Sequence, residues 1–380
     1  MSEGHEPRFI ADDREVERLA ARWKAGTVLG VDTESDAFYA YREKLCLLQI
    51  ADEQGIYLID PLAVDLQLLK APFEDPGVEI VMHAGENDVR LLRASAGIAL
   101  TGLFDTQGAR LILGGDQVGL AALVEEHFGV KLSKREQRSD WSRRPLKSAQ
   151  LRYAAADVEH LIELRRILGA QLEAAGRWEG ARRLFERIMA TRPQEKRFDE
   201  QGFYKIKGYG GLDPAGRAIV RALYLAREAR SERINRPPFM VLGNDVMVRI
   251  ARARPESSDA LGKVGGMPKA SRQRFEKGIL EAVRVGLQDR EPPPPRRPRP
   301  PRRPSSGNGA ILDALLAWRQ GKAAELSVQV QVIATARDLE LIAEQRPGSL
   351  SDLRDLPGIG PRWVEEWGGE VLKIVEKSIS

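Results

Sequence analysis

Two acids separated by one residue, Asp32-Thr-Glu34, close the short apolar run Val28-Leu-Gly-Val31. Side chains alternate along a strand, so both carboxylates leave from one face while Thr33 points away. A third acid, Asp88, comes 54 residues after Glu34, in His83-Ala-Gly-Glu-Asn-Asp88, where a helical pattern begins. Farther on, Tyr153 and Asp157 stand four apart on a long helical stretch and share a face, with Leu161 continuing the stripe. Hard divalent cations such as Mg²⁺ and Mn²⁺ take oxygen ligands. Two of them about 3.5–4 Å apart can bind both the attacking and the departing oxygen of an in-line phosphoryl displacement. Four carboxylates and a phenol at element ends supply ligands for that chemistry. Each motif alone is common, but the ordered set is not.

Other catalytic classes lack their residues. The four histidines, His5, His83, His127 and His160, show no His-Glu-x-x-His zinc spacing, and no Walker loop or Gly-x-Gly-x-x-Gly fingerprint occurs. His83 is expected to end a strand and serve packing or an outer shell. Cys46 sits in an apolar run and reads as a core residue.

Short strands and helices must position the acids. Residues 28–31, 45–51 and 55–60 read as strands, the last two joined as a hairpin through Asp52-Glu-Gln-Gly55, and 79–83 reads as a fourth. Helical patterns follow at 86–93, 106–113, 120–128 and, as one long helix, 148–168. Antiparallel strands first and parallel crossovers later make a mixed sheet with helices packed on it.

The chain has 380 residues, enough for two or three domains, with 42% hydrophobic and 30% charged residues in the ordinary globular range. The charged start, the single cysteine and the lack of any long apolar span point to a cytoplasmic protein with no membrane association. Charge is uneven: residues 1–190 carry net −6, 191–290 net +9, 291–308 net +4 and 309–380 net −3. An acidic unit beside a strongly basic one suits carboxylate chemistry in one place and polyanion binding in another. Residues 292–304 are eight prolines and five arginines, an extended spacer of about 40 Å at about 3.1 Å per residue.

A repeat runs at a constant offset of 92 residues. Arg227 matches Arg319, Ile250-Ala251 matches Ile342-Ala343, and Arg254-Pro255 matches Arg346-Pro347. Each copy reads as a bundle of about four or five helices. In the second copy, Leu356-Pro-Gly-Ile-Gly360 resembles a helix-hairpin-helix turn, either a phosphate holder or a plain interhelical turn.

In this order the residues resemble the DEDD exonucleases of ribonuclease H-like fold, in the subclass whose third motif is Tyr-x-x-x-Asp. The stretch Leu132-Ser-Lys-Arg-Glu-Gln-Arg-Ser-Asp-Trp141-Ser-Arg-Arg-Pro-Leu146, followed by Gln150-Leu-Arg-Tyr153-Ala-Ala-Ala-Asp157, is similar to the signature region of the ribonuclease D family. The two repeats resemble HRDC modules, the helicase-and-RNase-D C-terminal domain. The chain departs from the pattern at Asn87, where a larger residue is usual, and around 329–336 in the second module.

The resemblance implies an α/β ribonuclease H-like mixed sheet with flanking helices, followed by two small all-α helical-bundle modules. Residues 1–190 would be the exonuclease domain, 210–290 the first HRDC module, 291–308 a linker and 309–380 the second module. It further implies that Asp32, Glu34, Asp88 and Asp157 bind two divalent ions, Mg²⁺ or Mn²⁺, and that Tyr153 positions the nucleophilic water. The expected activity is 3′→5′ exoribonucleolytic hydrolysis of RNA, on tRNA precursors and other small structured RNAs, with no obligate protein partner. Alternatives are a DNA 3′→5′ exonuclease of the same fold and an inactive nucleic-acid-binding protein, against which the intact five-residue set argues. From charge, Arg227, Arg230, Arg233 and Arg236 on one helical stretch, with Lys269, Arg272 and Arg274 near an interhelical turn, are the candidate RNA contacts.

Overall fold

The Asp-x-Glu strand lies near the middle of a six-stranded sheet with order β1-β4-β3-β2-β5-β6. A computed structural model of the chain describes residues 6–193, 198–295, 308–326, 328–357 and 359–379. Most of the Pro/Arg spacer, His5 and Gly358 lie outside the described residues.

The chain opens with β1 (Arg8–Ile10) and α1 (Asp13–Arg22), the latter capped by Asp12, whose side chain accepts from the Arg14 and Glu15 amides. Then come β2 (Val28–Ser35), β3 (Leu45–Asp52) and β4 (Gly55–Ile59), with both adjacent pairs antiparallel and the expected hairpin between the last two. After the short helix α2 (Lys70–Phe73), β5 (Glu79–Met82) pairs parallel to β2. It leads into α3 (Glu86–Ala96), and β6 (Leu103–Asp105) pairs parallel to β5. β1 pairs parallel to β4 at the other edge. The mixed sheet is therefore as expected, and β3 is a continuous buried run because both its faces are covered.

Helices α4 (Thr106–Ile112), α5 (Leu120–Phe128), α6 (Ser148–Glu159), α7 (Leu161–Ala174) and α8 (Trp178–Met189) pack around this sheet. The single helix expected at 148–168 is two, broken at His160, which leaves helical geometry at φ −105° and ψ 0° and stacks its ring on Phe128 at 4.8 Å. The apolar stripe runs through His160 without interruption, so periodicity could not mark the break. Strand β6 is too short to show alternation, and α8 has a strongly amphipathic pattern that the sequence reading passed over.

The two repeats fold alike. The first contains α9 (Pro214–Arg233), α10 (Pro238–Val241), α11 (Asn244–Ala253), α12 (Ser258–Gly262) and α13 (Lys269–Gln288). The second contains α14 (Asn308–Glu325), α15 (Val330–Ile333), α16 (Ala336–Gln345), α17 (Leu350–Arg354) and α18 (Pro361–Ile379). Arg254 and Arg346, one repeat apart, both end a helix at φ +48° and donate their amides to Ile250 and Ile342. Each copy has its own apolar core.

By packing, the chain divides into two compact units. One holds Met1–Ser35, Leu45–Gln194 and Pro304–Ser380, and the other Asp36–Lys44 and Glu195–Arg303. The second repeat thus belongs with the sheet domain. Among the described residues, no helix is long and apolar enough to cross a membrane.

Candidate active site

Asp32 and Glu34 leave β2 on one side, opposite Gln49 and Leu47 of β3, just before the ladder slips between Glu34 and Ser35. The third acid comes from α6, which reaches β2 only because position 30 is glycine. A Cβ at Gly30 would lie 3.1 Å from the Leu161 Cβ and 3.2 Å from the Val158 carbonyl oxygen. With that approach, Asp32, Glu34 and Asp157 each offer a carboxylate oxygen within 4.8 Å of the others, all three half-buried.

Asp88 stands outside that group of three. It is the third residue of α3, is buried, and accepts a hydrogen bond from the Thr33 hydroxyl. Thr33, which alternation turns away from its two neighbours, therefore ties the fourth carboxylate to the same strand. The charge of Asp88 still reaches Asp32 and Glu34.

Gathering these acids is electrostatically costly. Burial, with the charges of Asp88, Asp157 and Glu34, holds Asp32 well above the usual carboxylate range. Burial, with Asp157 and Asp88, pushes Glu34 up to about 9. Burial lifts Asp157 to about 6 against the hydrogen bond it accepts from Tyr153, and lifts Asp88 to about 6 against its bond from Thr33. Burial and the neighbouring acids also raise the Tyr153 phenol, which stays protonated and donates to Asp157. An all-oxygen, anion-rich donor set of this kind fits hard divalent cations.

Residues beyond the five hold the site in shape. The turn carrying Asp88 is fixed by Asp105, a buried acid that accepts from the Gly85 amide at 2.7 Å and the Gly108 amide at 2.6 Å. Beside it, Thr106 Oγ1 lies 2.9 Å from His83 Nδ1 and donates to the Met82 carbonyl at 3.1 Å. Burial pushes His83 down to about 4, so the ring is neutral. Asp105-Thr106 was missed, although an acid at a strand end before a helix is a capping signal.

On the other flank, buried Trp141 lies 6.0 Å from Tyr153 between ring centroids. Arg144 clamps the preceding loop, donating to Asp60 through Nε at 2.6 Å and Nη2 at 2.5 Å, and to the Cys46 and Trp141 carbonyls at 2.7 and 2.8 Å.

The candidate RNA contacts divide. Arg230, Arg233 and Arg274 line a groove of about 560 Å³ between α9 and α13, together with Lys277 and Phe275. Arg227 does not belong with them: it is 6% exposed and donates to the Leu242 carbonyl at 3.0 Å and Asn244 Oδ1 at 2.7 Å. Its counterpart Arg319 donates to Ala334, 92 residues beyond Leu242, at 3.1 Å. Both are interior struts of the repeat. Arg272 donates to the Gly262 carbonyl at 3.1 Å, and Arg236 to the Tyr39 carbonyl at 3.3 Å. The side chain of Lys269 lies outside the described residues.

Residues 7–173 match the 3′-5′ exonuclease family, and residues 216–283 and 308–375 each match the HRDC domain. Over 346 residues the chain is 30% identical to ribonuclease D of Gluconacetobacter diazotrophicus, covering 89% of this chain and 86% of that one. It is 31% identical over 354 residues to ribonuclease D of Xanthomonas oryzae pv. oryzae, covering 92% and 95%. Among solved structures, Escherichia coli RNase D, described as an exoribonuclease involved in structured RNA processing, superposes with a TM-score of 0.62. The two are 25% identical, over 97% of this chain and 98% of that one.

Proposed function

We propose a site, a metal count and a substrate from one premise: the chain belongs to the ribonuclease D family and is a metal-dependent 3′→5′ exoribonuclease. The observation that supports the site is the convergence of Asp32, Glu34 and Asp157 oxygens from two separate elements. In this reading those three acids and Asp88 hold two Mg²⁺ or Mn²⁺ ions. When bound, such ions lower the pKa of water and stabilise a departing 3′ oxygen. Tyr153, held by Asp157 and packed against Trp141, orients the attacking water at the terminal phosphodiester. The Thr33 hydroxyl and Asp105 keep Asp88 and its turn in place.

The working division is residues 1–190 for chemistry, 210–290 for holding RNA, 291–308 as spacer and 309–380 as a second HRDC module. RNA phosphates meet the groove arginines Arg230, Arg233 and Arg274, and the substrates are tRNA precursors and other small structured RNAs. Matched RNA and DNA oligonucleotides labelled at the 5′ end, digested with Mg²⁺ or Mn²⁺, test this. A ladder shortening from the 3′ end on RNA is expected, and one confined to DNA would overturn the substrate.

A further inference from the structure

The second HRDC module is net acidic, and several of its charged side chains pair with the sheet domain. Helix α8 of the sheet domain carries three arginines, Arg182, Arg183 and Arg187. Arg183 pairs with Glu366 of α18, and its guanidinium lies 5.0 Å from the centre of the Trp367 ring. Charges also cross the other way: Arg362 of α18 reaches Glu179 at 2.8 Å and Glu186 at 2.5 Å. Arg187 donates to the Gln331 carbonyl at 3.0 Å and lies 3.7 Å from Asp338 of α16.

Apolar packing lies beneath these pairs. Val332 of α15 joins the core of the sheet domain, and α18 packs along α8. Gly360, at the end of the Leu356–Gly360 stretch that reads as a possible phosphate holder, lies against α8. Ile359 is buried, and a Cβ at Gly360 would lie 3.4 Å from the Glu186 Cβ and 3.5 Å from the Arg187 amide nitrogen.

Helix α8 in turn holds α3, the element carrying Asp88. Arg93 at the end of α3 donates to the Met189 carbonyl at 2.9 Å and to the Thr191 carbonyl at 2.5 Å. The charges of Glu86, at the start of α3, and of Asp338 both favour the charged form of the half-buried Arg187 guanidinium, which burial disfavours. The path from module to Asp88 is thus a chain of contacts: α16 and α18 on α8, and α8 on the C-terminal end of α3 through Arg93.

We propose that the second HRDC module is a fixed brace that positions the Asp88 helix through Arg183 and Arg187 of α8, rather than a surface for RNA. Arg183 and Arg187 are then positioning residues, and the activity readout rests on the exonuclease reading above.

The test uses the full chain in a charge-swap cycle: Arg183→Glu, Glu366→Arg, and both together. Each single reversal is expected to lower kcat roughly 3- to 30-fold while KM, RNA affinity and its salt dependence stay within about twofold. Each should also speed hydrogen exchange of the α3 and α8 amides, and the double variant should restore both readouts. Unchanged kcat and exchange in the single variants would overturn the proposal. So would a loss confined to RNA affinity, or a double variant no better than the singles. A wild-type chain inactive on RNA and DNA would remove the exonuclease reading, and the exchange cycle would still decide the docking.

Discussion

The turn at 264–268 in the first HRDC module and its counterpart at 356–360 occupy the same place in two copies of one fold. In the first, Met267 is half-buried and Pro268 is exposed. In the second, their counterparts Ile359 and Gly360 are both buried, Ile359 in the module's own core and Gly360 against α8. Interiors are kept: both copies hold an arginine on the same carbonyl and a left-handed arginine at the same helix end. Exteriors are not, since residues 191–290 carry net +9 and residues 309–380 net −3. A shared fold therefore does not assign a shared role; what covers each face does.

The largest expected effect lies outside both modules and separates catalysis from binding. Asp32→Asn or Asp157→Asn removes a ligand and a negative charge, and hydrolysis should fall to background while RNA affinity persists. Tyr153→Phe keeps the ring against Trp141 and loses only the hydroxyl, so a drop of roughly 10² to 10⁴ is expected. Wild-type turnover by a folded Asp32→Asn protein would dismantle the site. Next in size is the groove of the first module. Changing Arg230, Arg233 and Arg274 together to Gln should weaken RNA binding and flatten its log-salt slope by up to about 2, at about 0.7 per phosphate, with kcat preserved. A slope that does not move would sever the basic charge of this module from its use.

Metal linkage sharpens the contrast between the anion-rich site and the cationic module. Burial raises the folded-state pKa values, to about 6 for Asp157 and, with the charges of Asp157 and Asp88, to about 9 for Glu34. The metal-free fold therefore holds protons that the unfolded chain releases above about pH 4. Its stability contribution from this site falls as pH rises from about 4 towards 9. Ions compete with those protons, so added Mg²⁺ or Mn²⁺ should raise Tm more near pH 8 than near pH 6. Asp157→Asn should shrink that difference. Equal shifts at both pH values would count against metal binding by these acids.

How much of this was legible beforehand depends on whether a residue's role is written in its own neighbourhood. Asp32 and Glu34 on a strand, and Tyr153 four before Asp157 on a helix, follow from periods of 2 and 3.6. The mixed sheet followed from the same patterns, and the repeat from identities 92 residues apart. What stayed hidden was set by contacts distant in sequence. Nothing local shows that Thr33 donates to Asp88, that Asp105 holds the turn before it, or that the helix breaks at His160. Net charge marks the basic module but not which of its arginines are buried. Arg227 and Arg230 are three apart on one helix, and only burial separates them.

That last pair supplies the smallest effect and the closest check on the two-module comparison. If Arg227 and Arg319 are equivalent interior struts, replacing either with Met keeps most of the apolar stem and deletes one donor to a buried carbonyl, Leu242 in one copy and Ala334 in the other. Leaving such an acceptor unpaired costs about 1–3 kcal/mol, and the cost should stay within the affected module. Arg227→Met should speed amide exchange in α9 and α11 only, and Arg319→Met in α14 and α16 only. Neither should change the salt slope of RNA binding, because neither guanidinium is offered to a phosphate. If Arg227→Met alone lowered the slope by about 0.7, as one lost phosphate contact would, then Arg227 meets RNA despite its burial. The symmetry between the two interiors would then fail at the one residue where the repeat makes it most specific.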